Sequence, residues 1–162
     1  MFRTVSVKKL FFLLLAAILA LLLLFFIHGP FLDEGVEDAV ARALLDEAGV
    51  PEEGTVPAEG HKIFQAAADG DVLQVWGIFR TGIYRRTENG PEAVSVSEAV
   101  PARLTFARQD GRWQLTEYRI PEDQGFFGKD MKELFPWHLR LFALMKGAFE
   151  NGLTRQMEAY AA

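Results

Sequence analysis

The feature that most constrains this chain is an unbroken apolar run, LFFLLLAAILALLLLFFI, from Leu10 to Ile27. Its 18 residues lie near the lower limit of the roughly 17–25 that an α-helix needs to cross a bilayer. Three basic residues precede the run, whereas the first charged residues after it are Asp33 and Glu34. Lysine and arginine stay on the cytoplasmic side, so we predict a single-pass protein of the cytoplasmic membrane with its N-terminus inside and the rest outside.

A cleaved secretory signal would begin in a similar way. Its apolar core is usually about 7–15 residues long, and a small-x-small cleavage site follows. Here the sequence FFIHGPFLD follows, without such a site, which favours an uncleaved signal-anchor in contact with the lipid bilayer. The predicted organisation is a cytoplasmic N-terminus at 1–9, a transmembrane signal-anchor at 10–27 and an extracytoplasmic α+β domain at 28–162.

Charge and cysteine content narrow the function of the outer part. All 22 acidic residues and 14 of the 17 basic ones follow the apolar run, which gives this part a net charge of −8. Such a negative charge argues against nucleic acid as a partner. The chain has no cysteine, so disulfides and thiolate nucleophiles are excluded.

The outer part begins with a helical pattern and continues with extended ones. Asp33 suits the start of a first helix and Gly49 its end, and the stretch from Pro51 to Pro57 indicates a loop. Four stretches from Glu59 onward are rich in β-branched and aromatic residues: GHKIFQAAADGD, VLQVWGIFRTGIYRR, AVSVSEAVPARLTFAR and RWQLTEYRI. Asp-Gly and Asn-Gly pairs between them favour consecutive antiparallel strands joined by tight turns.

Helical signals return after Pro121. Asp130 can cap a short helix that ends at Phe135, and a second helix is expected from about Trp137, with a possible interruption at Gly152. The apolar side expected for this second helix consists of Leu141, Leu144, Met145 and Phe149. The fold class is therefore α+β: the transmembrane helix, a helix, an antiparallel meander sheet of about four strands and C-terminal helices. A cystatin-like arrangement, in which a curved sheet wraps a helix, is the first expectation, and a small open barrel with helical caps is the second.

No set of residues has the spacing of a known catalytic or metal centre. The three histidines, His28, His61 and His138, show no H-x-x-x-H or H-E-x-x-H spacing, so we predict no metal and no other cofactor. Ser6 precedes the predicted anchor, and Ser95 and Ser97 show neither G-x-S-x-G nor S-x-x-K, which argues against a serine nucleophile in the outer part. A meeting of His61 and His138 in the folded chain stays open.

Several segments nevertheless share a pattern with one family. They are Glu59–Phe64, Val100–Phe106, Leu115–Tyr118, Pro121–Asp123 and Lys132–Pro136. Together they resemble a small extracytoplasmic domain of Gram-positive bacteria, which occurs in membrane-anchored proteins and attached to metallopeptidases of the beta-lactam sensor-transducer type. The resemblance covers about residues 35–140 and implies an extracytoplasmic location.

The chain departs from the family pattern at several positions. Phe126 and Phe127 stand where the family tends to have tyrosines, and Met131 replaces the usual isoleucine. Because no H-E-x-x-H is present, the resemblance implies no proteolytic activity.

These observations predict a membrane-anchored extracytoplasmic binding or sensory module without catalytic activity, which contacts an envelope protein, a peptide or a wall fragment. The candidate binding residues are Glu59, His61, Asp123, Phe126, Phe127, Lys132 and Glu133. The segment from Pro121 to Pro136 is interpreted as a latch that closes the fold.

Two alternatives stay open. One is a membrane-tethered hydrolase or isomerase, with His61 and either Glu59 or Asp123 as acid and base in a concave sheet pocket. The other is a structural subunit that pairs through its anchor, although the anchor contains no G-x-x-x-G.

Overall fold

The computed structural model describes residues 15–16, 34–122 and 128–162. Contacts within the chain divide it into two units, Met1–Pro30 and Phe31–Ala162. Apart from residues 15 and 16, which are helical, the predicted anchor at 10–27 lies outside the described residues and stays a prediction. Among the described residues, no helix is both long enough and apolar enough to cross a bilayer.

The predicted α+β class is confirmed for the second unit. Its described residues form four helices and a five-stranded antiparallel sheet, one strand more than expected. The elements are α1 (Glu34–Glu47), β1 (Thr55–Asp69), β2 (Val72–Thr87), β3 (Gly90–Val96), β4 (Val100–Gln109), β5 (Arg112–Arg119), α2 (Lys129–Leu134), α3 (Arg140–Leu144) and α4 (Lys146–Ala161). The loop predicted for Pro51–Pro57 ends earlier than expected, because β1 already begins at Thr55.

The additional strand comes from the third predicted stretch, which divides in two. The sheet order is β1-β2-β4-β5, and β3 pairs with the remaining part of β2. Strands β4 and β3 thus follow one another along the same side of β2 and are separated at Ser97. There the Ser97 hydroxyl accepts the N–H of Thr81 at 3.0 Å, and the Ser97 carbonyl accepts Nε–H of Arg80 at 2.9 Å. The third stretch has the pattern of a single strand because β3 and β4 lie in line along β2 and are interrupted only around Ser97.

The helices cover both faces of the sheet. Helix α1 lies on one face, where Leu44, Phe79 and Phe106 belong to its buried core. Helices α2 to α4 lie on the other face, in a core that includes Trp76 and Leu153. Since β2 is covered on both sides, its sequence lacks the alternation of apolar and polar residues that a half-exposed strand would show.

A β-bulge changes the faces of β5. Simple alternation would place Tyr118 on the face opposite Trp113. The pairing of β4 with β5 shifts its register between Thr105 and Phe106, and Tyr118 therefore packs with Trp113 on the α1 side. Its ring meets that of Phe79 edge-on, with the centroids 6.4 Å apart. Burial raises the pKa of Tyr118 to about 12.

In the described part of the Pro121–Pro136 segment, α2 and the residue after it pack against the sheet. Met131, Leu134 and Phe135 are buried, and the Trp76 indole donates a hydrogen bond of 2.7 Å to the Leu134 carbonyl. This bond ties α2 to the central strand. Positions 123–127, which include the candidate Asp123, lie outside the described residues.

The C-terminal helices expose part of the side that was expected to pack. Leu141 is 58 % exposed, whereas Leu139 and Ala143 are buried against the sheet. Helix α4 continues through Gly152 without the expected interruption. Of the four residues expected on the apolar side, Phe149 packs against this core, with its ring centroid 5.6 Å from that of Phe64.

The close contact of α4 with β1 requires glycine at position 60. A Cβ atom on Gly60 would lie 2.6 Å from the backbone oxygen of Leu153, whereas one on Gly152 would have no neighbour within 4 Å. We expect Gly60→Ala to lower the free energy of unfolding by about 1–3 kcal/mol, because backbone must move. Gly152→Ala is the matched control and should raise it by roughly 0.5–1 kcal/mol, since alanine favours a helix interior. Denaturant unfolding of the full chain in mild detergent measures both changes, and equal effects would contradict the close packing.

Candidate functional site

A partly buried polar site surrounds His61, in the middle of β1. Glu59 and His61 are two residues apart in an extended strand, so both side chains point to the α1 face. The His61 Nδ1 atom lies 2.7 Å from Oε2 of Glu59, and its Nε2 atom lies 2.5 Å from Oε2 of Glu37 in the first turns of α1. We call these three residues the His61 triad.

Both ring nitrogens of His61 thus face carboxylate oxygens. A carboxylate only accepts hydrogen bonds, so each nitrogen has to donate, which it can do only in the protonated imidazolium. Burial alone would lower the pKa of His61, but the hydrogen bonds to Glu37 and Glu59 outweigh burial and raise its pKa to about 9. The hydrogen bond from His61 in turn lowers the pKa of Glu37. At neutral pH the His61 ring is therefore positively charged between these two side chains.

The three side chains differ in their access to water. Side-chain exposure is 10 % for Glu59, 16 % for His61 and 46 % for Glu37. Glu59 is thus a nearly buried carboxylate whose negative charge needs the imidazolium next to it. Glu37 closes the arrangement from the solvent side. Helix α1 is held to β1 by this contact as well as by its apolar core.

His61 also contacts a third element through its backbone. Its N–H group donates a hydrogen bond of 2.9 Å to Oε1 of Gln156 in α4. One residue of β1 therefore joins α1 on one face of the sheet to α4 on the other.

In this arrangement His61 presents no free nitrogen lone pair to a substrate proton or to a metal ion. A general base needs an unprotonated nitrogen and a pKa near the working pH, and His61 has neither at neutral pH. A metal ligand likewise needs a free nitrogen lone pair. Among the residues described, no group of three or more histidine, aspartate or glutamate side chains could hold a metal ion.

The other predicted site residues are not gathered around His61. Lys132 and Glu133 lie on α2, on the opposite face of the sheet, and both are exposed. Oε1 of Glu133 lies 4.0 Å from Nζ of Lys129. Exposed ion pairs of this kind contribute little to stability. Asp123, Phe126 and Phe127 lie outside the described residues. The four predicted residues that the structure describes are therefore divided between two faces.

His61 and His138 do not meet. His138 lies on the α2–α4 side of the sheet, where its Nε2 atom is 2.9 Å from Oε1 of Gln65. The partner of His61 that the sequence did not indicate is Glu37. At the start of a helix its negative charge is already explained by the helix dipole, so the sequence contained no signal for its second role.

Comparison of the chain with family models, with curated proteins and with solved structures gave no match.

The triad predicts how stability depends on pH. The pKa of His61 is raised from 6.5 to about 9 on folding, so its contribution is fully present below pH 6.5 and is lost as pH rises through 9. The loss across this window should be about 2–4 kcal/mol in the free energy of unfolding. Glu37 affects stability at low pH. Because its pKa is lowered on folding, its contribution to the free energy of unfolding is present above the ordinary glutamate pKa and is lost as pH falls through the lowered value.

Unfolding of the full chain in mild detergent, measured from pH 5 to 9.5, tests this dependence against His61→Gln. Glutamine keeps a side chain that hydrogen-bonds but does not titrate, so the variant should be less stable near pH 6 and should lose most of the decline toward pH 9. An equally steep decline in the variant would show that other groups cause it.

Proposed function

We propose that this chain is a membrane-anchored extracytoplasmic binding or sensory module without catalytic activity, which contacts an envelope protein, a peptide or a wall fragment. The observation that carries the proposal is the state of His61. The histidine best placed for chemistry has both ring nitrogens bound to carboxylates, at 2.5 and 2.7 Å, and thus serves to hold elements together. What the domain offers to other molecules is its surface.

The location rests on the sequence. The apolar run from Leu10 to Ile27 is bounded by basic residues on its N-terminal side and acidic residues on the other. The absence of cysteine from the chain is compatible with an exported domain that relies on an ordinary packed core.

We further propose that the outer domain adopts a cystatin-like arrangement and is related to the small extracytoplasmic domain that its motifs resemble. A helix that precedes the strands and packs on one face of an antiparallel sheet supports the arrangement. The helices on the second face are an addition to it. They contain Lys132 and Glu133, from the motif that carries the resemblance.

A membrane-tethered hydrolase or isomerase is the second candidate. The 2.7 Å contact of His61 with Glu59 favours it, because this is the pair that was expected to act as acid and base. The two candidates differ in the charge of His61 at neutral pH. The binding module has a fixed imidazolium, whereas a catalytic base would have to be neutral.

The cysteine-free sequence allows a direct test of the location. Val50 is 96 % exposed in the outer domain, and Ser6 precedes the predicted anchor. With a membrane-impermeant maleimide, Val50→Cys should be labelled in intact cells, whereas Ser6→Cys should be labelled only after lysis. Labelling of Val50→Cys only after lysis, or a mature N-terminus located after Ile27, would contradict the proposal.

A further inference from the structure

The C-terminal part of the domain exposes a cluster of large apolar side chains. Trp137 is 75 % exposed, and Leu141, Leu144 and Met145 are exposed as well. They are four of the ten exposed large apolar side chains in the described part of the chain, and the other six are scattered along the sequence. Scattered exposed apolar residues are ordinary, whereas a cluster marks a surface that contacts another molecule or a membrane. We call these four residues the Trp137 patch.

The patch lies on the outward side of α3 and of the turn before it. Its last three residues are spaced i, i+3 and i+4, so they share one side of this short helical segment. Leu139 and Ala143 lie on the inward side, in the core between α3 and the sheet. Trp137 precedes α3, and its ring meets that of His138 edge-on, with the centroids 5.8 Å apart. Because Nε2 of His138 lies 2.9 Å from Oε1 of Gln65 in β1, inward contacts of its neighbours hold the patch toward the outside.

The chain around the patch is basic, although the outer part is acidic. No acidic residue occurs from position 134 to 149, where the sequence contains Arg140 and Lys146, whereas the outer part as a whole has a net charge of −8. Arg140 donates hydrogen bonds to the Phe135 and Lys132 carbonyls, and Nζ of Lys146 lies 4.0 Å from Oε2 of Glu98. Tryptophan with arginine and lysine nearby is typical of a membrane–water interface. An anionic lipid surface repels acidic faces of a domain and accepts a basic, apolar one.

In its proposed location, the chain keeps this domain close to the membrane. Residues 28–33, six in number, separate the end of the predicted anchor at Ile27 from the start of α1 at Glu34. A fully extended chain advances at most about 3.6 Å per residue, so Glu34 lies within about 25 Å of the end of the anchor. A domain of about 130 residues is roughly 35 Å across. The tether is therefore shorter than the domain that it holds, and some surface of that domain always faces nearby lipid.

The start of α1 and the patch are attached to the same stretch of the sheet. Glu37, in the first turns of α1, contacts His61 of β1. His138, next to Trp137, contacts Gln65 of the same strand. Four residues of a strand span about 13 Å, so the two contacts are close together along β1, one on each face of the sheet. The end of the short tether therefore lies near the part of the domain that carries the patch.

From these observations we propose that the Trp137 patch docks the outer domain on the lipid bilayer that holds the predicted anchor. Trp137 lies among the headgroups, the other three patch residues enter the boundary with the acyl chains, and Arg140 and Lys146 keep their charges at the headgroups. A patch of this size binds lipid weakly by itself, but the short tether makes the contact intramolecular and so raises its occupancy. The inference rests on the proposed function and specifies how the module is held against the membrane.

The test uses the full chain reconstituted in phosphatidylcholine vesicles, with or without bromine atoms on the acyl chains near the headgroup. Bromine quenches tryptophan fluorescence on contact. Of the three tryptophans in the chain, Trp76 is buried and Trp113 is half-buried in the outer domain. Brominated lipid should therefore quench Trp137 alone, with a loss of about a third of the tryptophan emission. Trp137→Phe keeps the patch apolar but removes the reporter, so its emission should be the same in both lipids.

Charged substitutions show whether the patch itself makes the contact. Leu141→Glu combined with Leu144→Glu leaves Trp137 as the reporter and should reduce its quenching by about threefold or more, because carboxylates do not enter lipid readily. Val50→Glu combined with Val94→Glu adds the same charge at exposed apolar positions outside the patch and should leave the quenching unchanged. All four side chains are exposed, so denaturant unfolding in mild detergent should give both variants the stability of the unchanged chain. A difference in quenching is then a difference in docking.

Several results would overturn the proposal. They are absence of Trp137 quenching in brominated lipid, or equal quenching in the two pairs of glutamate variants. Disulfide-linked dimers of Leu141→Cys, with Trp137 unquenched, would identify a second copy as the occupant instead. If quenching is absent while Val50→Cys is still labelled from outside the cell, the proposed location stands and only the docking is wrong. If Val50→Cys is labelled only after lysis, the proposed location is wrong whatever the vesicles show.

Discussion

The imidazolium of His61 is bound on both sides by carboxylates, and this contact joins β1 to α1. Glu59 holds the ring within β1 and Glu37 reaches it from α1, while the backbone N–H group of His61 separately bonds to Gln156 of α4. Removal of the imidazole would leave the nearly buried Glu59 without a counter-charge, which is costly in a protein interior. A network of this kind stabilises one arrangement of helices on a sheet, and it does so by using up the groups that acid–base chemistry would need.

The sequence predicted what local chemistry determines. Glycines after Asp69, Asn89 and Asp110 have positive φ and join antiparallel strands, as the turn pairs indicated. What it could not predict depends on contacts between distant residues. Glu37 is 24 residues from His61, and only the packing of α1 on β1 brings them together. In the same way, the register shift that turns Tyr118 toward α1 arises from pairing with β4 and not from the β5 sequence.

Only the part of the candidate site that depends on neighbouring residues could be predicted from the sequence. His61 and Glu59 lie in one strand, so alternation alone placed them side by side. Lys132 and Glu133 belong to a different local motif, and the sheet that separates the two motifs is visible only in the folded chain.

The protonation state of His61 is the central claim, and NMR can measure it directly. The full chain, with ¹⁵N-labelled histidine in detergent micelles, would be titrated from pH 5 to 10, and the His61 signals identified by their loss in His61→Gln. We predict a pKa of about 9 with both ring nitrogens protonated at pH 7. A pKa at or below 6.5, with one nitrogen unprotonated at pH 7, would contradict the account and would restore His61 as a possible catalytic base.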